Sequence, residues 1–356
     1  MAYFALLLYT AILFIRPQEW LPGLKGFSFL GLGILDIVVG FTLIAWLAHL
    51  INTDWKLKES PQNWLMAGLF VGVLMSHVRH TYLAAFIEQF QEFGKTVLLY
   101  FLIVSVATTV WRVRGFVLMI VAGSLFMAIH GIMQAHYGVG FGGAEPSIRE
   151  GIFQVRAFGI FHDPNDLSLI LVTTMPFLMG VVINSERFFP LRLLSAFTMI
   201  PLLYCVYLTN SRGGWLALIV MVVAFVYLHT SHRKLGLVFG LALVPVVFVL
   251  GPSRMENMDT SGGSVEGRLA AWGFGNHMLK RNPLFGVGKG RFTEFSGDGK
   301  VAHNSWVHCW GEIGLFGYFF WLGLILAALK DGWAFDKLDP RGPPDTELVK
   351  IEKAAT

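Results

Sequence analysis

Residues 189–230 read FPLRLLSAFTMIPLLYCVYLTNSRGGWLALIVMVVAFVYLHT. Two apolar runs, 189–208 and 213–230, flank a polar corner at 209–212. Each approaches the roughly 20 mainly apolar residues that a bilayer-spanning helix needs. The pair reads as two spans joined by a tight turn, and the remainder of the chain has the same character. Of 356 residues 55% are apolar, 14% are charged, and 31 are phenylalanine. A soluble protein averages about 45–50% apolar and 25% charged, so too few charges remain to cover a water-facing surface. A water-soluble enzyme and a disordered chain are both excluded. The two cysteines, Cys205 and Cys309, exclude a disulfide scaffold, and Cys205 reads as a small core residue within an apolar run.

Working outward from that pair, the spacing predicts about ten spans: 2–15, 28–51, 62–78, 96–111, 115–137, 165–183, 189–208, 213–230, 235–250 and 304–329. The first lacks the basic start and small-residue cleavage site of a signal peptide. The formal net charge of +4 matters through its distribution. With the N-terminus in the cytoplasm, the inner loops carry Lys56 and Lys58, Arg112 and Arg114, Arg187 and Arg192, then Arg233 and Lys234. That is the positive-inside pattern, and it places both termini in the cytoplasm. The expected fold is all-α, a polytopic transmembrane bundle forming one membrane domain over 1–329, with a cytoplasmic tail at 330–356. The outer segments are 16–27, 79–95, 139–164, 209–212 and 251–303. The two longest, glycine-rich and polar, hold most of the unusual residues, as long functional loops do. Within the second, 264–280 has Val265, Leu269, Trp272 and Leu279 at helical spacing, an amphipathic helix lying on the outer membrane face or capping the bundle.

Three outer segments carry candidate chemistry. The first is Asn210-Ser211-Arg212-Gly213-Gly214. Arg212 either snorkels as an interfacial anchor or meets an anion, and the glycines let a ligand approach the backbone. The second is Gly267-Arg268-Leu269-Ala270-Ala271-Trp272, where a helix puts Arg268 and Trp272 on one face. Arg268 is either a stacked surface arginine or a guanidinium fork for phosphate oxygens. The glycine-rich run 282–291 follows, and resembles a phosphate loop only weakly because no strand precedes it. The third is Ala302-His303-Asn304-Ser305-Trp306, with Glu312 further on. His303 is an ordinary boundary histidine or, beside converging arginines, a general base. His303 and Glu312 lie about 13 Å apart along a helix, too far for direct contact. His162, Asp163 and Asp166 have the look of a metal site, but Asp163 as N-cap and Pro164 at the first helical position make a helix start the better reading. Asp36 and His130 stand alone inside expected spans.

The order of these pieces resembles the bacterial O-antigen ligase and O-antigen polymerase superfamily over about residues 150–325. The matching stretches are FHDPNDLS at 161–168, NSRGGW at 210–215, GRLAAW at 267–272, NPLFGVGKGRF at 282–292, AHNSW at 302–306 and EIGLFG at 312–317. The resemblance implies a GT-C-like helical glycosyltransferase of the bacterial inner membrane, serving lipopolysaccharide or other polysaccharide assembly. Such enzymes move a glycan from an undecaprenyl-pyrophosphate carrier to an acceptor hydroxyl at the periplasmic face, without a metal or soluble cofactor. The acceptor is lipid A-core, a growing glycan or a protein, and no nucleic acid takes part. The family's arginines map onto Arg212 and Arg268 and its histidine onto His303. Arg156 from the other long loop joins the pyrophosphate site, with Ser211, Asn304, Glu312 and Trp272 in support. Family members often have two further spans after the histidine, where this chain has one. The rival from another class is a transporter or flippase, which predicts paired intramembrane charges and broken helices near the midplane.

Overall fold

The computed structural model describes residues 1–29, 31–53, 60–149, 151–184, 186–229, 263–297, 299 and 301–336, with scattered positions between 234 and 245. The chain divides into two compact units. The first comprises 1–52 with 106–258, the second 53–105 with 259–356. A helix stands at each expected run except 235–250, most of which lies outside the described residues, as does the expected tail beyond Asp336. Five described helices are long and apolar enough to cross a membrane: Ile34–Asn52, Val110–Tyr137, Pro164–Ile183, Phe189–Leu208 and Ser305–Gly332.

The first unit holds α1 (Ala2–Ile15), α2 (Pro17–Trp20), α3 (Ile34–Asn52), α6 (Val110–Tyr137), α7 (Pro164–Ile183), α8 (Phe189–Leu208) and α9 (Arg212–His229). α1 runs parallel to α6. The Tyr3 hydroxyl donates to the Arg112 carbonyl (3.0 Å) near their starts, and Phe14 sits on Gly123 further along. A Cβ on Gly123 would come within 2.4 Å of the Phe14 ring, so only glycine allows that approach. The core gathers Phe14, Met127, Leu167, Leu171, Leu202 and Val206, and a buried Ser124–Thr174 hydroxyl pair (2.9 Å) ties α6 to α7. Each helix buries a narrow stripe only. On α8, Leu194, Phe197 and Ile200 are 62%, 59% and 58% exposed, a continuous apolar face suited to lipid.

Two details correct the sequence reading of this unit. The second run begins as a tight bend in which Phe29 and Leu32 exchange backbone hydrogen bonds, so its helix starts at Ile34 and not at residue 28. Asp36 therefore lies in the first helical turn, where its carboxylate accepts the Gly33 N–H (3.2 Å), and is not an isolated mid-span charge. His130 is not isolated either: its Nδ1 accepts the Phe141 N–H (2.9 Å), pinning the loop after α6.

The second unit holds α4 (Pro61–Val78), α5 (Leu83–Val106, ending at the boundary between the units), α10 (Gly263–Arg281), the short α11 (Phe292–Phe295) and α12 (Ser305–Asp336). α5 starts 13 residues before the expected run 96–111, because Leu83, Phe86, Phe90 and Phe93 repeat at helical spacing among polar residues. The apolar run alone hides that amphipathic half. α4 and α12 lie antiparallel: Gln62 bonds Asp331, Gly68 meets Phe320, and Gly72 packs on the Gly317 backbone. α10, the helix expected at 264–280, docks through Gly275 against Val307 at the start of α12 and Phe292 of α11. α12 breaks at Gly314 (φ 63°, ψ −170°). The N–H groups of Leu315 and Phe316 donate to Pro283 (2.8 Å) and Leu284 (3.0 Å) instead of to their own helix. The glycine-rich segment thus fills the hydrogen-bonding gap that the kink opens.

Candidate functional site

In the first unit, α1, α6 and α8 end where α7 and α9 begin, and the loops at that end are cross-tied. The loop 138–163 contains an antiparallel hairpin, Ser147–Arg149 with Ile152–Gln154. Gln154 donates to the Thr209 carbonyl (3.0 Å), and Asn210 donates back to Phe153 (2.7 Å) from a left-handed backbone (φ 49°). Ser211 caps α9, its hydroxyl accepting the Gly214 N–H (3.0 Å) and donating to Asn165 (2.6 Å). Arg212 follows as the first residue of α9, half-buried, with its Nε buried and without a hydrogen-bond partner among the described residues. The positive end of a helix disfavours a cation, so an arginine here gains most when an anion sits beside it.

Arg156 stands at the same end. Its backbone N–H donates to Gln134 (3.0 Å), its Nε to the Glu145 carbonyl (3.0 Å) and its Nη1 to His162 Nε2 (2.8 Å). Asp163 caps α7 by accepting the Asn165 N–H (2.8 Å), with Pro164 next, the helix start read from sequence. Two residues escaped the sequence reading. Arg16, left-handed at φ 48°, pairs with Glu19 (3.2 Å), and Glu19 also accepts the Gly159 N–H (3.0 Å). Together they clamp the loop carrying Arg156 and His162. The only sequence signal was a charged R-P-Q-E turn closing an apolar run.

In the second unit, Arg268 is exposed on α10, and one turn on Trp272 donates its indole N–H to the Ala302 carbonyl (3.0 Å). That bond fixes the residue before His303. His303 is exposed and left-handed (φ 46°), an uncommon conformation for a residue with a Cβ. Asn304 caps α12, its carboxamide oxygen accepting the Trp306 (3.0 Å) and Val307 (3.4 Å) N–H groups. Glu312 is buried and orients neighbours: Oε1 accepts the Phe292 N–H (3.1 Å) and meets His308 Nε2 (3.1 Å). His308 was not singled out in the sequence, although it stands one helical turn before Glu312. The backbone N–H groups at 287–289 of the glycine-rich run form no phosphate cradle. Val287, Gly288 and Lys289 donate to Gly311 (3.1 Å), Glu312 (2.9 Å) and Ser76 Oγ (3.2 Å), leaving those N–H groups engaged.

These features define a helical membrane protein whose polar side chains collect at helix ends: Arg156, Ser211 and Arg212 in the first unit, Arg268, Trp272, His303, Asn304 and Glu312 in the second. Residues 196–322 match the O-antigen ligase family, and that segment is similar to the O-antigen ligase and polymerase superfamily. The match includes Arg212, Arg268, His303 and Glu312; Arg156 lies outside it. No curated protein and no solved structure matches the chain.

Proposed function

We propose that the protein is a membrane glycosyltransferase that moves a glycan from an undecaprenyl-pyrophosphate carrier to an acceptor hydroxyl at the periplasmic face of the inner membrane. The observation that carries this reading is the O-antigen ligase match spanning Arg212, Arg268 and His303. The bond from the anomeric carbon to the pyrophosphate breaks, and its electron pair leaves with the carrier. The acceptor oxygen attacks from the opposite face, inverting that carbon, and its proton passes to His303. Arg212, Arg268 and Arg156 bind the pyrophosphate and stabilise its growing charge. Ser211 and Asn304 hold the two helix starts, Trp272 steadies the approach to His303, and Glu312 supports that end of α12. No metal or soluble cofactor takes part.

The physical support is local. Arg212 places a buried, unpartnered guanidinium Nε at a helix N-terminus, and His303 presents an exposed imidazole beside a well-capped helix. The test is transfer in vitro from a pyrophosphoryl-lipid glycan by the purified full chain, with lipid A-core, glycan and protein acceptors offered separately. The acceptor that receives glycan separates ligase, polymerase and protein-glycosylating activities. Failure of all three, with the donor intact, removes the proposal.

A further inference from the structure

The second unit contains a cavity of about 150 Å³ lined by Arg79, Arg281, Asn282, Pro283, Leu284 and Phe285. Arg79 caps the C-terminus of α4 and Arg281 is the last residue of α10. Both arginines are exposed, and among the described residues neither guanidinium makes a hydrogen bond or ion pair. The Asn282 carboxamide has no partner there either. No carboxylate lines the cavity. We propose that this cavity binds a phosphate group, carried by an anionic phospholipid or free, at a position distinct from the residues assigned above to glycan transfer.

The competing account is that each arginine merely complements the negative end of its helix. Magnitudes decide against that as the whole explanation. A helix C-terminus carries about half a negative charge, so two termini offset only half of the two guanidinium charges. The remaining charge has no partner among the described residues, and two like charges sharing a cavity repel until an anion lies between them. Two planar forks and a neutral carboxamide donor make a set suited to phosphate oxygens. The volume equals about five waters at roughly 30 Å³ each, room for one phosphate group. The flank is apolar: Leu284 lines the cavity, Val78 precedes Arg79, and both are exposed, offering acyl chains a surface beside the charged group. The inference does not depend on the proposed transfer reaction.

The experiment is native mass spectrometry of the detergent-purified full chain titrated with dioleoylphosphatidylglycerol, comparing wild type with R79Q/R281Q. Loss of two charge-assisted contacts weakens retention of that lipid by about tenfold or more. An exposed control at the other end of the first unit, Arg187→Gln, leaves retention unchanged. Competition by millimolar inorganic phosphate identifies a site that accepts the free anion; persistence of the lipid against it identifies a site for the headgroup with its chains. Equal retention by wild type and double variant, or equal loss in the Arg187 control, overturns the proposal. If the double variant does not purify, Arg281→Gln alone, on an exposed side chain, reads the same loss.

Discussion

The corner at 209–212 and the segment at 302–304 each deliver one candidate residue to the start of a helix, yet they are built in opposite ways. At the corner, Gln154, Asn165, Asn210 and Ser211 form a lattice of hydrogen bonds joining two loops and two helices, and Arg212 emerges from it half-buried. At 302–304, the main chain is held from outside by one indole bond to Ala302 and from within by the Asn304 cap, and His303 stands exposed between them. The difference fits two kinds of work. A group that stabilises developing charge does best when its position is fixed before the reaction. A group that takes a proton needs reach, since its hydrogen bond tightens only when substrate is present.

The largest effect tests the exposed side of that contrast. His303→Ala lowers transfer by about 10²–10⁴-fold, the usual range for a lost general base. Because the imidazole is exposed, thermal unfolding stays close to wild type, and circular dichroism with a melting curve checks this in the same preparation. Wild-type transfer by this variant would falsify the assignment. Arg212→Lys comes next. It keeps the charge and loses the planar fork, so transfer falls by about 10²-fold, as on removal of one oxyanion donor. Steady-state kinetics give the sharper reading: kcat falls more than KM rises if the contact strengthens as charge develops. An unchanged rate reduces Arg212 to a membrane anchor.

Much of this was legible in the sequence, and the reasons differ by residue. The apolar runs at 189–208 and 213–230 declare their helices because length and hydropathy alone define a span. Asp163-Pro164 declares its cap because those residue types together before an apolar run mark a helix start. The first half of α5 stayed hidden, since its apolar positions repeat every third or fourth residue among charges and form no run. Arg16, His308 and Arg79 stayed hidden for another reason. Their significance lies in what the fold brings to them: a Glu19 that pairs with Arg16 and accepts the distant Gly159 N–H, a Glu312 one turn from His308 that also holds Phe292, and the α10 terminus beside Arg79. Local spacing cannot encode the distant members, Gly159, Phe292 and the α10 terminus.

Two smaller predictions bear on how each helix start is held. Gly214→Ala places a Cβ about 2.3 Å from the Ser168 hydroxyl, between the capping Ser211 and α7. Overpacking of this kind costs about 1–3 kcal/mol, seen as a lower melting temperature. Transfer falls along with it, because the lattice around Arg212 shifts as a unit. A Gly214→Ala variant that melts earlier yet transfers normally separates the lattice from the chemistry.

Trp272→Phe is the gentler counterpart. It keeps a large aromatic ring on α10 and removes the single N–H that reaches the Ala302 carbonyl. A neutral hydrogen bond contributes about 0.5–1.5 kcal/mol net, so stability drops only slightly. If that bond merely fastens α10 to the segment before α12, transfer follows stability and stays within a factor of a few. If it sets the left-handed turn that presents His303, transfer falls further than stability does, while His303→Ala combined with Trp272→Phe loses no more than His303→Ala alone. Non-additivity of that double variant is the signature of two residues acting through one group. It would make the looser of the two helix starts as deliberately positioned as the tighter one, with the tie placed on the backbone so that the imidazole itself stays free to reach.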